Sequence, residues 1–123
     1  MELHEKLARW AGFQPSATLW IWWYPAGGAT LDEKDLPNFS EDLNAEYVYI
    51  VPKLQEKGHM VELYAYEHKG FFAQVYSVFQ SAREPEEYYE PIADAKGDKP
   101  ALALFEAVEQ VINQEEEGNA TNT

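Results

Sequence analysis

Cysteine is absent from this chain of 123 residues, and arginine occurs only at Arg9 and Arg83. Without cysteine there are no disulfides, no thiolate zinc sites and no cysteine nucleophiles, a pattern that fits a reducing compartment. Binding to a nucleic-acid backbone needs clustered lysine and arginine. With 22 acidic residues against 9 basic ones, the sequence predicts no direct binding of nucleic acid.

Long apolar runs are also missing. The longest, residues 19–25, is far shorter than the roughly 20 residues that cross a bilayer as a helix. The N-terminal segment MELHEKLARW alternates charged and apolar residues and does not resemble a secretory signal. We therefore expect no membrane association and a location in the cytoplasm.

The charge that is present is strongly negative, with a net value of −13. Such a charge repels anionic membranes and attracts a partner with a basic surface. The same charge also keeps a small protein soluble, without any partner. Composition alone leaves both interpretations open.

Apolar periodicity and turn residues divide the chain into six predicted elements and a tail. Leu3, Leu7 and Trp10 share one face of a short helix that Gly12 ends. Proline and glycine residues predict a long loop over 25–39, and Ser40 is the expected N-cap of the next helix. The predicted order is a helix over 2–11, a strand over 18–24, a helix over 40–58, a hairpin of strands 59–67 and 71–79, an irregular acidic segment over 80–97 and a helix over 98–113.

The predicted strands are apolar on both faces, which requires cover on both sides. We therefore expect an α+β fold of order α-β-α-β-β-α, with a three-stranded, mostly antiparallel sheet and helices on both of its faces. This α/β/α sandwich would span residues 1–113 as one domain. Residues 114–123, which have little to bury, are predicted to form a disordered acidic tail.

Several short stretches together resemble the phage ABA sandwich domain family of small phage and prophage proteins. They are the helix end Trp10-Ala11-Gly12-Phe13, the helix entry at residues 37–45 (PNFSEDLNA), the helix end Glu56-Lys57-Gly58, and Ala101-Leu102-Ala103-Leu104. The resemblance covers about residues 2–113. It implies a phage or prophage accessory protein that acts in the cytoplasm of a bacterial host, and it implies no catalytic residues.

The acidic segment after the hairpin is the candidate binding site. Tyrosines among carboxylates can anchor on a basic protein surface, because aromatic rings supply contact area and charges steer the encounter. The candidate residues are Glu84, Glu86, Glu87, Tyr88, Tyr89, Glu90 and Asp94. We expect a non-enzymatic protein that binds and inhibits a host protein, in an anti-defence or nucleic-acid-mimic role.

Other chemistry has little support in the sequence. The three histidines His4, His59 and His68 show no zinc spacing, so we expect no metal and no cofactor. One alternative is a nucleotide-binding protein whose pocket uses Trp20, Trp22, Tyr24 and the 25–39 loop. Another is a minor virion component. Self-association into a homo-oligomer also remains open.

Overall fold

The computed structural model describes residues 3–16, 21–65, 70–80 and 87–121. It confirms the α+β class: two three-stranded antiparallel sheets are combined with helices. None of the helices it describes is both long and apolar enough to cross a membrane.

The first part of the chain forms a helix and a small sheet. Helix α1 (Leu3–Trp10) ends at Gly12, whose φ of 108° is costly for other residues. The small sheet then has the order β1-β2-β3. Its strands are β1 (Gln14–Pro15), β2 (Ile21–Trp23) and β3 (Thr30–Asp32).

The strand predicted over 18–24 therefore lies in this separate sheet, and its residues 18–20 are outside the described part of the chain. The region predicted as a loop over 25–39 is also partly ordered. It contains β3 and a 3-10 turn, Glu33–Asp35. The prediction failed here because the turn residues Pro25, Gly27 and Gly28 close a short hairpin between β2 and β3 and do not begin a long loop.

The second helical segment is not a regular α-helix. It consists of α2 (Leu43–Ala45), a π-helical turn (Glu46–Ile50) and α3 (Val51–Glu56). The cap is Asp42, which accepts a 3.1 Å bond from the backbone N–H of Ala45, and not Ser40, whose hydroxyl donates to Asn38. The wider π turn directly precedes Pro52, which cannot donate a helical hydrogen bond.

The π turn changes which side chains of this segment face inward. A regular α-helical period over this segment predicts one buried face made of Leu43, Tyr47, Ile50, Val51 and Leu54. Ile50, Val51 and Leu54 are buried, but Tyr47 is 48% exposed. Glu46, one position earlier, is fully buried in its place. A π turn adds a residue to the helical repeat, so an assignment made with the α-helical period misses this change.

The larger sheet carries the hairpin and one further strand. Its order is β4-β5-β6, made by β4 (His59–Ala65), β5 (Phe71–Gln80) and β6 (Glu87–Gly97). The predicted hairpin is confirmed, with Ala65 opposite Phe71 and His59 opposite Ser77. The prediction that 80–97 is irregular is wrong, because β6 pairs with β5 across Phe71–Gln80. A bulge between Val75 and Tyr76 accommodates the Pro91 region of the strand.

The last helix, α4 (Pro100–Thr121), is the middle layer of the protein. It packs against β5 and β6 on one side, and against α1 and the π turn on the other. Glu106 and Gln110 lie on its exposed side, and its buried residues cover a broad arc of the rest of the helix. They are Ala101, Ala103, Leu104, Phe105, Ala107, Val108, Val111 and Ile112.

This arrangement corrects the predicted layering. The core-facing side of the larger sheet joins the apolar cluster through Ala73, Val75 and Ala93, with Val61 and Leu63 packed against them. Residues of its opposite side are absent from that cluster as far as the chain is described. The described helices thus cover one face of the sheet, and α4, not the sheet, is the layer enclosed on both sides.

The C-terminal segment is helical where disorder was expected. α4 continues to Thr121, past the predicted boundary at residue 113. Glu115 and Glu116, assigned to the tail, are held by Trp10, Lys57 and Lys6. Their partners lie far away in the sequence, so the composition of the segment alone does not predict these contacts.

Candidate functional site: the open face of the larger sheet

The side of the larger sheet that none of the described helices covers, called the open face below, is defined by the strand register. Side chains alternate between the two faces of a strand, and directly paired residues share a face. The open face carries Met60, Glu62 and Tyr64 of β4, Phe72, Gln74, Tyr76 and Val78 of β5, and Glu87, Tyr89, Pro91, Asp94 and Lys96 of β6.

Aromatic rings form two clusters on this face. At one end, the rings of Tyr64 and Phe72 are stacked, with centroids 6.0 Å apart. With Ala65 and Lys96 they line a shallow depression of about 440 Å³. Towards the other end, Tyr76 and Tyr89 meet edge to face at 6.5 Å. Tyr64 is 41% and Tyr89 49% exposed, so much of this aromatic area is available to a partner.

Carboxylates lie beside both tyrosines, and one of them accepts a hydrogen bond from a tyrosine hydroxyl. Tyr89 donates a 3.0 Å hydrogen bond to Oε2 of Glu87. Tyr76 donates to Gln74 and makes a longer contact, 3.5 Å, with Oε2 of Glu62. The bond to Glu87 raises the pKa of Tyr89, while local desolvation and then the charge of Glu62 raise that of Tyr76. Both hydroxyls therefore stay protonated at neutral pH, and that of Tyr89 orients the carboxylate of Glu87.

The seven predicted site residues do not form one cluster. Glu84 and Glu86 lie outside the described residues. Glu87, Tyr89 and Asp94 project from the open face. Tyr88 and Glu90 alternate with them and project from the other face, where Tyr88 stacks on Phe79 at 5.8 Å. The prediction of a loop hid this division, because it ignored the period of two that a strand imposes.

Four residues of the open face were missed as site candidates: Glu62, Tyr64, Phe72 and Tyr76. The prediction that helices cover both faces of the hairpin left no exposed face on which these residues could form a site. A usable signal exists in the sequence. Glu62 and Gln74 interrupt the aromatic face, whereas Val61, Ala73 and Val75 on the other face are uniformly apolar.

The end of the sheet where β5 and β6 extend past β4 adds exposed aromatic area. β5 and β6 continue past the start of β4 at His59, since Val78–Gln80 pair only with β6 among the described strands. Phe79 on this extension is 50% exposed and Tyr88 is 36% exposed. We call residues 78–80 and 87–90 the β5–β6 extension. It presents aromatic rings on both faces.

Of the pocket predicted from Trp20, Trp22, Tyr24 and the 25–39 loop, Tyr24 and residues 25–27 line a depression, whereas Trp22 does not. Trp20 lies outside the described residues, and Trp22 is buried in the core with the guanidinium of Arg9 5.6 Å from its ring centroid. Tyr24 packs on Phe13 at a centroid distance of 5.7 Å. The outward-facing ring of β2 is Trp23, which that prediction placed on the opposite face.

One ionisable group is buried away from the open face. Glu46 is fully buried, and neither carboxylate oxygen has a hydrogen-bond partner among the described residues. Desolvation, followed by the nearby charge of Asp42, raises the pKa of Glu46 to about 9. At neutral pH it is a protonated acid inside the core, where it contacts no molecule in solution.

The described residues contain no group of three or more His, Asp or Glu side chains arranged to hold a metal ion. Comparison with protein-family models, with curated proteins and with solved structures finds no match for this chain. The open face and the β5–β6 extension are therefore interpreted from their own chemistry.

Proposed function

We propose that this protein is a non-enzymatic binding protein that docks a protein with a basic surface on its open face. The observation that carries the proposal is the hydrogen bond from the exposed Tyr89 to Glu87, next to the half-buried Tyr76, whose hydroxyl lies 3.5 Å from Glu62. Tyrosine is enriched at interface hot spots, and oriented carboxylates complement lysine and arginine of a partner.

The balance of charge supports a basic partner. Among the residues that the structure describes, the open face carries Glu62, Glu87 and Asp94 and one cation, Lys96. Elsewhere Lys6 and Lys57 form ion pairs with Glu116 and Glu115, and Arg9 lies over Trp22. Those cations are engaged within the protein, and the net charge of −13 already includes them. Attraction of this kind accelerates association and weakens with salt.

The biological setting of the proposal rests on the resemblance to the phage ABA sandwich family. On that basis we propose a phage or prophage accessory protein in the cytoplasm of a bacterial host, which inhibits a host protein by covering its basic surface. A nucleic-acid-binding host protein is the partner class that this chemistry suits, because its basic groove would accept the carboxylates in place of phosphates.

Binding should be tested with two variants that change net charge equally. The whole chain, immobilised, would capture partners from a bacterial lysate, and each purified partner would then be titrated. We expect the Glu62→Gln, Glu87→Gln, Asp94→Asn triple variant to weaken binding at least tenfold at low salt. The matched control is Glu5→Gln, Glu56→Gln, Glu106→Gln, on helices α1, α3 and α4.

A second pair of variants tests the rings. Tyr89→Ala should weaken the same interaction, whereas Tyr47→Ala, which removes an equally exposed ring on the π turn, should not. If the two triple variants weaken binding equally, the open-face carboxylates contribute only through the net charge of the protein. Binding that is insensitive to both the open-face carboxylates and Tyr89 would overturn the proposal.

A further inference from the structure

A second candidate site lies on the small sheet, apart from the open face. It is a depression of about 450 Å³, within the size range of small-molecule sites. Its lining comes from the turn after α1, from β1, and from the end of β2 with the turn that follows. The lining residues are Gly12, Gln14, Trp23, Tyr24, Pro25, Ala26 and Gly27.

Trp23 presents its ring to this depression because of the strand register. Gln14, Trp23 and Thr30 are paired across the three strands and share one face. Trp22 projects from the other face and is buried, whereas Trp23 is 44% exposed. An indole ring set between an amide and a hydroxyl on an exposed sheet has no evident role in the core.

The backbone around Trp23 is held in place before any ligand binds. The N–H of Tyr24 donates to the carbonyl of Ala29 at 3.1 Å, and the N–H of Gly27 donates to the carbonyl of Tyr24 at 2.9 Å. Gly12 approaches Pro25 so closely that an added Cβ would lie 3.1 Å from the Cβ of Pro25. A preorganised site loses less conformational freedom on binding.

The chemistry of the lining defines the ligand class. In the part of the chain that the structure describes, no charged side chain lines the depression. A nucleotide or a nucleic-acid strand would need cations for its phosphates, so it is disfavoured. The lining instead combines flat apolar rings with the carboxamide of Gln14, which both donates and accepts hydrogen bonds.

We propose that this depression binds a neutral saccharide, with one sugar ring stacked on Trp23 and its hydroxyls bonded by Gln14. The face of an indole ring is electron-rich and attracts the partly positive C–H hydrogens on the flat side of a sugar. The hydroxyls around the sugar edge require polar partners at the rim, which Gln14 supplies. This site is independent of the proposed protein-binding face.

The test is a titration of the isotope-labelled whole chain followed by NMR. The probes are cellotriose, maltotriose and chitotriose, with adenosine and AMP as competing classes. We expect at least one trisaccharide to shift the indole N–H signal of Trp23 and the carboxamide signals of Gln14. Trp23→Ala should abolish the shift of the Gln14 carboxamide signals. Gln14→Ala, followed through the indole signal of Trp23, should weaken affinity about three- to tenfold, the effect of one hydrogen bond.

The control variant is Tyr64→Ala, which removes an exposed ring of similar accessibility from the larger sheet. Its saccharide response should match that of the unchanged chain. The proposal is overturned if none of the three trisaccharides shifts the Trp23 signal, or if adenosine or AMP binds there while the saccharides do not. The proposal is equally contradicted if the Gln14 signals still shift in Trp23→Ala, or if the Trp23 signal no longer shifts in Tyr64→Ala.

Discussion

The indole Nε1 of Trp10 donates a 2.8 Å hydrogen bond to Oε2 of Glu115, which joins the first helix to the last. The other oxygen of Glu115 accepts an ion pair from Lys57 at 3.0 Å, and the Lys57 ammonium lies 5.8 Å from the centroid of the Trp10 ring. α1, α4 and the segment after α3 therefore meet at one carboxylate. The last turns of α4 are ordered by these contacts.

We expect Glu115→Gln to lower the free energy of unfolding by about 0.5 to 1 kcal/mol, because the group is partly exposed and its ion pair is screened. Trp10→Phe should cost about 1 kcal/mol through the lost hydrogen bond. Since the two residues share one interaction, the double variant should lose less than the sum. Urea denaturation measures all three, with Glu106→Gln on the exposed side of α4 as control. Additive losses would show that the contact contributes nothing.

Glu46 should make stability depend on pH. Its pKa is about 9 in the folded protein against 4.5 as a free side chain, so the folded state retains the proton longer. The stabilisation is complete below pH 4.5 and is lost as pH rises to 9, with a loss on the order of 3 kcal/mol by pH 7. Glu46→Gln, which is neutral throughout, should be similar to the unchanged chain near pH 4 and clearly more stable at pH 8.

Thermal unfolding across pH 4 to 9 measures this difference. The control is Glu56→Gln, a change at an exposed carboxylate of the same helical segment. It should leave the pH profile unaltered. A constant offset between Glu46→Gln and the unchanged chain at every pH would mean that the carboxyl is not the titrating group.

Two glycines should respond to alanine in opposite directions. At Gly70, φ is 110° and an added Cβ would lie 2.6 Å from the carbonyl oxygen of Gly97, so Gly70→Ala should cost at least about 2 kcal/mol. Gly118 lies within α4 with nothing within 4 Å of an added Cβ, and Gly118→Ala should gain up to about 1 kcal/mol. Chemical denaturation tests both. If Gly70→Ala leaves the free energy of unfolding unchanged, the close approach of Gly70 to Gly97 is contradicted.

The outer edge of β6 is covered by two glutamines of α4. The carboxamide of Gln110 bonds both the N–H and the C=O of Asp94, and that of Gln114 donates to the C=O of Ile92. Unpaired edge groups promote pairing with other chains. We expect the Gln110→Ala, Gln114→Ala variant to self-associate, as measured by light scattering against concentration. The control is Gln55→Ala, at an exposed glutamine of α3, which should self-associate no more than the unchanged chain.

Local signals in the sequence located several elements correctly. α1 ends at Gly12, the hairpin turns between Ala65 and Phe71, and α4 begins at Pro100, as the turn and cap residues predict. These features depend on the conformational limits of single residues, which act over a few positions. The acidic residues around Glu87 were predicted as one binding region, and the structure divides the described ones between the two faces of β6.

Partners distant in the chain decided the rest. Nothing in residues 87–97 alone indicates a strand, because its proline and acidic residues suit β structure only when β5 supplies the hydrogen bonds. Glu115 is ordered by Trp10, more than a hundred residues away. The α+β class, the hairpin and the negative charge follow from composition and local pattern. The position of α4 between the larger sheet and α1, and the outward orientation of Tyr76 and Tyr89, depend on long-range packing, because burial is set by which distant apolar surfaces meet.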